Sequence, residues 1–266
     1  MATNVGVITN IDKDPGLAYT ALVCDFLARQ GVTVSNEHDK NWFGAKFWII
    51  LGGDGTMLRH SHIAAVHNIP LLGINLGHLG FLTDVEKQDG LDAIAKVLKG
   101  EYKTEKRLML EVNFQVTRKS SHLNGDALAL NDICVGTAGG LKTFSIYVNG
   151  QLLNAIRADG IIVATPTGST AYNLSAGGPI LMPGGQMMVI TPVCPHSLNS
   201  RPLVICADDI VKIEAHQASP VLVDGENKGE LEPNTSVEIK KSNCYTTTIT
   251  TVPSHLYAIL RRKALL

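Results

Sequence analysis

The sequence has few of the features that mark secreted, membrane-spanning or nucleic-acid-binding proteins. Its five cysteines form no Cys-x-x-Cys pair, so we expect buried, reduced thiols in a cytosolic protein. The start of the chain lacks the charged and apolar regions of a secretory signal, and no apolar stretch is long enough to cross a bilayer. The formal net charge of −1 argues against a broad electrostatic surface for DNA or RNA. We therefore expect a cytoplasmic protein without a nucleic-acid or membrane partner.

Several familiar motifs are also missing. The sequence has no Gly-x-x-x-x-Gly-Lys-Ser/Thr, which excludes a Walker-type phosphate loop. It has no Gly-x-Gly-x-x-Gly, because Leu58 stands three residues after Gly55, and this disfavours a dinucleotide dehydrogenase. The nucleophile elbow Gly-x-Ser-x-Gly is absent too. The pair His60-x-His62 would point to different faces of a helix, so we expect no metal site built from protein side chains.

The first hundred residues alternate between strand-like and helix-like patterns. Apolar runs at 5–8, 47–51 and 70–74 are typical of buried strands, and helical spacing appears at 17–26, 57–67 and 91–98. Strands separated by helices predict an α/β domain with a parallel sheet. We place this domain at residues 1–104.

The pattern changes after Tyr102 to a succession of strand-like runs with turn signals such as Asn149-Gly150 and Asp224-Gly225. This predicts a mainly β C-terminal domain at residues 105–252, followed by a helix at 253–266 that packs back on the first domain. The predicted strands lie at 108–116, 127–135, 144–148, 187–190, 203–206, 210–213, 221–223, 237–239 and 245–251.

The segment Gly52-Gly53-Asp54-Gly55-Thr56 joins a predicted strand to a predicted helix. Adjacent glycines allow a ligand to approach the backbone, and the helix N-terminus offers N–H groups to phosphate. Asp54 stands where a carboxylate can accept a proton from a hydroxyl or help to hold a cation. The alternative is a tight turn in which Asp54 caps the helix.

Two further segments carry candidate binding residues. The glycine-rich stretch 73–82 leaves a strand and either places Phe81 against a flat base or buries it in the core. In the stretch 159–179, the hydroxyl residues Thr167, Ser169 and Thr170 and the ring of Tyr172 cluster around Gly168. Its hydroxyl groups, backbone and aromatic face suit ribose and base recognition better than nucleophilic catalysis.

Four blocks in this order resemble the NAD kinases. They are Gly52 to Thr56, Gly73-Ile74-Asn75 through Leu79-Gly80-Phe81, Asn131-Asp132, and the run Thr165-Pro166-Thr167-Gly168-Ser169-Thr170-Ala171-Tyr172 continuing to Gly177-Gly178-Pro179. Diacylglycerol, sphingosine and phosphofructo-kinases have loops similar to the first block. The long fourth block is specific to the NAD kinases, and the resemblance spans most of the chain.

The resemblance implies that NAD binds between an α/β and a β-rich domain and that ATP transfers its γ-phosphate to the 2′-hydroxyl of the adenosine ribose, giving NADP. It implies that Asp54 is the proton acceptor and that Asn131 and Asp132 bind ribose and base. The other implied contacts are Gly55, Arg59, Lys142, Arg157, Asp159, Thr167, Thr170, Ala171, Tyr172, Asn173, Leu174, Ser175 and Glu226.

The resemblance also implies Mg²⁺ or another divalent cation bound with ATP, and a homodimer or homotetramer. The sequence departs from the family pattern at three positions, with Asp132 where Glu is common, Asn173 where Ser is common and Glu226 where an amide is frequent. Two alternatives stay open. One is a lipid or sugar kinase that shares the first block, and the other is a non-catalytic NAD-binding sensor.

Overall fold

The computed structural model describes residues 3–77, 80–114, 127–137, 139–251 and 256–262. The chain divides into two compact units, Met1–Lys106 with Thr246–Leu266, and Arg107–Tyr245. The domain boundaries predicted from the sequence, at residues 104 and 252, remain a prediction. Among the described residues, no helix is both long and apolar enough to cross a membrane.

The first unit alternates strands and helices, as its sequence pattern predicts. Its elements are β1 (Asn4–Thr9), α1 (Ala18–Arg29), β2 (Thr33–Ser35), a 3₁₀ turn (Trp42–Gly44), β3 (Trp48–Gly52), α2 (Asp54–Val66), β4 (Leu71–Asn75), β5 (Val85–Glu86), a 3₁₀ turn (Lys87–Asp89) and α3 (Gly90–Lys99).

The strands of the first unit pair in parallel in the order β4-β3-β1-β2, with β5 beside β4. Every residue of β3 and β4 is buried, which explains their continuous apolar runs. The helix predicted at 17–26 is present as α1, but of the residues whose helical spacing predicted it, Leu17, Ala21 and Leu22 are exposed. The helix buries Val23 and Leu27 in the core instead.

The second unit is almost entirely strand. The remaining elements of the chain are β6 (Lys103–Phe114), β7 (Ala127–Ala129), β8 (Asp132–Gly136), β9 (Lys142–Val148), β10 (Gln151–Ala158), β11 (Gly160–Ala164), a 3₁₀ turn (Gly168–Thr170), α4 (Tyr172–Ser175), β12 (Met187–Val193), β13 (Leu203–Cys206), β14 (Val211–Ala215), β15 (Ser219–Val223), β16 (Glu226–Leu231), β17 (Thr235–Thr250) and α5 (Leu256–Arg262).

Antiparallel pairing dominates the second unit. One sheet runs β13-β12-β11-β8-β15-β16, and the pairs β10-β9, β9-β14 and β14-β17 form another layer. Side chains from both layers, including Ile133 and Phe144, share one hydrophobic core. The fold class predicted from the sequence is confirmed: an α/β N-terminal part with a parallel sheet precedes a mainly β part. β17 continues from the second unit into the first, where Thr248 pairs with Leu71 of β4.

Three strand predictions are corrected by the structure. The run 127–135 is two strands, β7 and β8, which are interrupted at Leu130-Asn131. The runs 237–239 and 245–251 were predicted as two strands because the residues between them are polar. In the structure, a single strand, β17 (Thr235–Thr250), covers them up to residue 250. The strands β10 and β16 were not predicted. Most of their residues are exposed, so neither strand shows the regular alternation of apolar and polar residues that marks a half-buried strand.

Candidate active site

The connection between β3 and α2 places a carboxylate at the first residue of a helix. β3 ends at Gly52, Gly53 is the extended N-cap residue, and α2 begins at Asp54. A Cβ built on Gly52 would lie 2.5 Å from the hydroxyl oxygen of Thr56, so glycine is needed for this close approach. The first N–H groups of a helix have no acceptor within it, so this end of α2 suits an anionic group.

The Asp54 carboxylate holds a distant backbone segment. Its Oδ2 accepts a hydrogen bond from the N–H of Phe81 at 2.7 Å. Its Oδ1 accepts from the N–H groups of Leu82 and Thr83, at 3.0 and 3.1 Å, and from the Thr83 hydroxyl at 3.1 Å. The capping alternative is wrong, because Gly53 is the N-cap residue of α2 and the Asp54 carboxylate accepts its hydrogen bonds from residues 81–83. Oδ1 accepts three of these four hydrogen bonds and Oδ2 accepts one, so Oδ2 is the less occupied of the two oxygens.

Gly80 makes this contact possible. A Cβ built on Gly80 would lie 1.9 Å from Oδ1 of Asp54, so any other residue would displace the carboxylate. Asn75, at the end of β4, fixes the same segment: its side chain donates to the Thr83 hydroxyl at 2.8 Å and accepts from the Gly77 N–H at 2.7 Å. Phe81 is half-buried. The glycine-rich stretch is thus tied to the Asp54 loop through named polar contacts.

Lys13 lies over the same loop and was missed by the sequence analysis. A Cβ built on Gly53 would lie 2.5 Å from the Lys13 Nζ, and one built on Gly77 would lie 3.7 Å from it. In the described part of the chain, the Lys13 ammonium has no ion pair or hydrogen bond. The available signal is its place just after β1, since the carboxyl ends of parallel strands share one edge of a sheet.

The turn that carries Lys13 is fixed to the loop. The carbonyl of Asn10 accepts the N–H groups of Lys13 and Asp14 at 3.0 and 3.1 Å, and the Asn10 N–H donates to the Leu51 carbonyl at 2.8 Å. The Asn10 side chain also donates to the Thr56 hydroxyl at 3.2 Å. The backbone of Lys13 is therefore fixed beside the loop, and its ammonium lies near the N-terminal end of α2, where a bound anion would be favoured.

In the second unit, the hydroxyl groups of Thr165 and Ser169 form hydrogen bonds that stabilise the loop they belong to. The Thr165 hydroxyl donates to the Leu130 carbonyl at 2.6 Å and accepts the Gly168 N–H at 3.0 Å. A Cβ on Gly168 would lie 2.0 Å from the carbonyl oxygen of Asn131. The Ser169 hydroxyl donates to Pro166 at 2.7 Å. These contacts pack the segment directly against Leu130-Asn131.

Asn173 has a structural place in this loop. Its side chain is fully buried, donates to the carbonyls of Ser169 and Pro179 at 3.0 and 3.1 Å, and accepts from the Thr191 hydroxyl at 2.6 Å. A Cβ on Gly178 would lie 1.9 Å from its Oδ1. A serine at this position would be too short to make all three contacts, so the departure from the family pattern has a local reason here.

Other members of the loop are placed differently. The Thr167 hydroxyl is buried and has no hydrogen-bond partner in the described structure, whereas the Thr170 hydroxyl donates back to the Thr167 carbonyl at 3.2 Å. Tyr172 and Ser175 are exposed, and Ala171 and Leu174 are half-buried. The loop therefore presents one unsatisfied hydroxyl and one accessible aromatic ring.

Asn131 and Asp132 lie where β7 gives way to β8. Asp132 is 5% exposed, and burial, followed by the negative charge of Asp224, raises the pKa of its carboxyl to about 7. The Asp224 carboxylate accepts the N–H groups of Leu130, Asn131 and Asp132 at 2.9, 2.7 and 3.1 Å. Asp224, predicted only as a turn residue, thus fixes the backbone of the predicted binding pair.

The remaining predicted contacts are spread over the surface. The Lys142 ammonium donates to the Ala218 carbonyl at 2.6 Å, and Glu226 pairs with Lys228 at 2.7 Å. Arg59, Arg157, Gly55 and half-buried Asp159 complete the set, the first three being exposed. The described residues contain no group of three or more His, Cys, Asp or Glu side chains placed to hold a metal ion.

The cysteines only partly follow the sequence expectation. All five are free thiols, but only Cys134 is buried, and Cys194 and Cys206 are exposed. Burial is the main cause that raises the pKa of Cys134 to about 12, so this thiol is held in its neutral form.

A glycine loop at a helix N-terminus beside a fixed carboxylate is an arrangement suited to binding a phosphate group. Family models described as the ATP-NAD kinase N-terminal and C-terminal domains match residues 35–102 and 130–251. An NAD kinase from Caldanaerobacter subterraneus subsp. tengcongensis is 39% identical, covering 97% of this chain and 98% of the relative. One from Chlorobium limicola is 42% identical, covering 82% and 76%. The chain belongs to the ATP-NAD kinase family.

Solved structures agree on the fold. Yeast NADH kinase complexed with NADH superposes with a TM-score of 0.87 at 24% identity, covering 100% of this chain and 88% of that one. An NAD kinase from Archaeoglobus fulgidus in complex with ATP gives a TM-score of 0.79 at 24% identity, covering 100% and 99%. The family models and the relatives, by contrast, confirm the resemblance predicted from the four sequence blocks.

Proposed function

We propose that this NAD kinase transfers the γ-phosphate of ATP to the 2′-hydroxyl of the adenosine ribose of NAD, with Asp54 as the proton acceptor. The observation that carries the assignment is the Asp54 carboxylate, which three backbone N–H groups hold at the start of α2. These hydrogen bonds hold the carboxylate in one orientation, with Oδ2 as its less occupied oxygen. A fixed acceptor costs little reorganisation when the proton is transferred.

The proposed step balances as an in-line displacement. The 2′-oxygen forms a bond to the γ-phosphorus, the bond from that phosphorus to the β–γ bridging oxygen breaks, and ADP leaves. The 2′-hydroxyl proton passes to Asp54 Oδ2. Most of the catalysis of phosphoryl transfer comes from positioning and charge neutralisation, which is why the residues around Asp54 matter as much as the base.

Lys13 supplies positive charge to the phosphate chain in this proposal. Its ammonium stands over Gly53 without a carboxylate partner among the described residues, and a charge-assisted bond to a phosphate oxygen would satisfy it. Gly55, with nothing within 4 Å of its missing Cβ, leaves room for the phosphate. Exposed Arg59, one helical turn further along α2, is assigned to the same anionic groups.

The NAD contacts are assigned to the second unit and to Phe81. Asn131 and Asp132 orient ribose and base, the unpaired Thr167 hydroxyl bonds to the nucleotide, and the Tyr172 ring supplies a stacking face. Asn173 contributes by keeping its loop in place. The remaining assigned contacts are Lys142, Arg157, Asp159, Thr170, Ala171, Leu174, Ser175 and Glu226.

Mg²⁺ or another divalent cation bound with ATP would supply neutralisation of the triphosphate charge. Such an ion usually keeps several waters and few carboxylates, which fits a site whose described residues offer Asp54 but no cluster of acidic side chains. We also propose a cytoplasmic enzyme that assembles as a homodimer or homotetramer.

The direct test incubates the purified protein with NAD, ATP and Mg²⁺ and follows NADP by chromatography, with ³¹P NMR to locate the new phosphate. A monoester on the adenosine 2′-oxygen is expected, and reactions without ATP or without NAD serve as controls. NAD binding without product would instead indicate a sensor. Product from a lipid or sugar hydroxyl, with none from NAD, would indicate the other kinase classes.

A further inference from the structure

Asp224 stands opposite Asp132 because of the strand register. β15 pairs with β8 in antiparallel fashion, with Leu222 opposite Cys134 and Val223 opposite Ile133. Continuing this register places Asp224 opposite Asp132, and the Asp224 N–H donates to the Asp132 carbonyl at 2.9 Å. The position of Asp224 is therefore dictated by the core strands and not by a surface loop.

The turn at the end of β15 directs this side chain inward. Asp224 and Gly225 have φ values of 49° and 81°, as in the two-residue hairpin turn that Asp-Gly favours. Val223 pairs with Glu226 across this turn, which joins β15 to β16. The Asp224 side chain thereby reaches back over the start of β8 instead of pointing into solvent.

The carboxylate of Asp224 replaces missing ladder bonds at the break between β7 and β8. Its Oδ2 accepts the Leu130 N–H, and its Oδ1 accepts the N–H groups of Asn131 and Asp132. Three consecutive N–H groups aimed at one side chain fix the backbone direction of all three residues. The side chains of Asn131 and Asp132 leave that backbone, so their direction depends on Asp224.

We propose that Asp224 is a positioning residue for the NAD site, which orients Asn131 and Asp132 by holding their backbone. This inference rests on the proposed function, in which those two residues bind the nucleotide. Asp224 itself has no assigned contact with NAD.

The pH dependence of kcat/KM for NAD is a measurement that a purely structural role of Asp224 would not change. Asp224 is the charged neighbour that, after burial, raises the pKa of Asp132 to about 7. The other titratable groups coupled to this site are Cys134 and Tyr172, and Tyr172 is in turn influenced by Cys194 and Asp159. If ionised Asp132 accepts a nucleotide hydroxyl, kcat/KM for NAD falls as the pH drops through this pKa.

Asp224→Asn is the discriminating variant. Asn tolerates positive φ as Asp does, so the hairpin turn is preserved. One amide oxygen can still accept two N–H groups, but the amide nitrogen then faces the third, and the negative charge is lost. We expect KM for NAD to rise about tenfold, as for one lost charge-assisted hydrogen bond. We also expect the acid limb of kcat/KM to move to lower pH, because Asp132 loses its negative neighbour.

Glu230→Gln is the matched control. Glu230 is exposed on β16 of the same hairpin, so this change removes one negative charge nearby without touching residues 130–132. It should leave both KM for NAD and the acid limb at wild-type values. Thermal melting of each variant reports whether folding is preserved.

The outcomes separate this inference from the proposed function. A wild-type protein that makes no NADP contradicts the proposed function, whatever Asp224 does. An active wild type, together with an Asp224→Asn variant that has an unchanged KM for NAD and an unmoved acid limb, overturns the positioning role. A lower melting temperature with both kinetic values unchanged also overturns it, since stability alone would then explain Asp224.

Discussion

Two carboxylates in different parts of the chain perform the same backbone task. Asp54 in the first unit accepts the N–H groups of Phe81, Leu82 and Thr83, and Asp224 in the second accepts those of three consecutive residues at 130–132. Both bind one N–H through one oxygen and two through the other. The two differ in the role that we propose for them: we assign the less occupied oxygen of Asp54 to proton transfer, whereas Asp224 acts through its neighbours.

Hydrogen bonding to the backbone alone does not distinguish the proposed general base from the proposed positioning residue. Asp54 starts a helix at the end of a buried parallel strand, where a phosphate can meet N–H groups. Asp224 lies in a tight hairpin turn of an antiparallel sheet, with no helix N-terminus beside it in the hairpin. We therefore base the two proposed roles on the setting of each carboxylate rather than on its number of partners.

Removing the charge of Asp54 is expected to have the largest effect among the changes that test this comparison. Asp54→Asn keeps an oxygen that can accept the N–H groups of Leu82 and Thr83, but the amide cannot take up the hydroxyl proton. Turnover should fall by roughly 10²–10⁴-fold, the usual contribution of a general base. Steady-state kinetics at saturating NAD and ATP measure this, and unchanged turnover would remove Asp54 from the chemistry.

Gly80→Ala tests the holding function of Asp54 without altering the carboxylate itself. The new Cβ would stand 1.9 Å from Oδ1, so the carboxylate must move away from its N–H partners. A displacement of this kind should reduce turnover by about 10²-fold. Gly44→Ala is the control, because nothing lies within 4 Å of its added Cβ. Equal kinetics for the two alanine variants would show that the contact is dispensable.

Asn173→Ala sharpens the distinction between building a loop and binding a ligand. It leaves the Thr191 hydroxyl and two carbonyls without their buried partner. We expect the free energy of unfolding to fall by roughly 1–3 kcal/mol, measured by urea denaturation. Asn199→Ala, at an exposed position, should have no such effect. A loss of NAD affinity at unchanged stability would mean that Asn173 contacts NAD directly.

Lys13→Met is expected to have the smallest effect of these changes. Losing one exposed ammonium beside the loop should raise KM for ATP by up to about tenfold, while KM for NAD stays unchanged. Lys46→Met removes an exposed lysine of the same unit and should leave both constants unaltered. Matching constants for the two variants would assign Lys13 to the solvated surface.

Local sequence patterns predicted much of the first region. The strand, the glycines and Asp54 are consecutive, so hydrophobic periodicity and the spacing of one motif reveal them. The partners of Asp54 were not predictable, because hydrogen bonds across 27 to 29 residues leave no local pattern. Lys13 escaped notice for the same reason, since a single exposed lysine after a strand has no distinctive signature.

The second region was harder to derive. Asp224 and residues 130–132 are 92 to 94 positions apart, and only the register of β15 against β8 brings them together. The hydroxyl-rich segment predicted a binding loop, but not the different places of its hydroxyl groups. Tertiary contacts decide that the Thr165 hydroxyl bonds within the protein and that the Thr167 hydroxyl has no partner among the described residues. The turn at Asp224-Gly225 was correctly predicted. No sequence pattern predicts that the Asp224 carboxylate also binds the backbone of residues 130–132.

The most direct test of the account measures the Kd for NAD of Asp54→Asn and Asp224→Asn side by side by isothermal titration calorimetry, since both changes disturb one N–H contact and remove one charge. We predict that Asp54→Asn binds NAD nearly as tightly as the wild type while losing turnover, and that Asp224→Asn weakens NAD binding by about tenfold. Equal Kd values for the two variants would contradict the separation of catalysis from positioning.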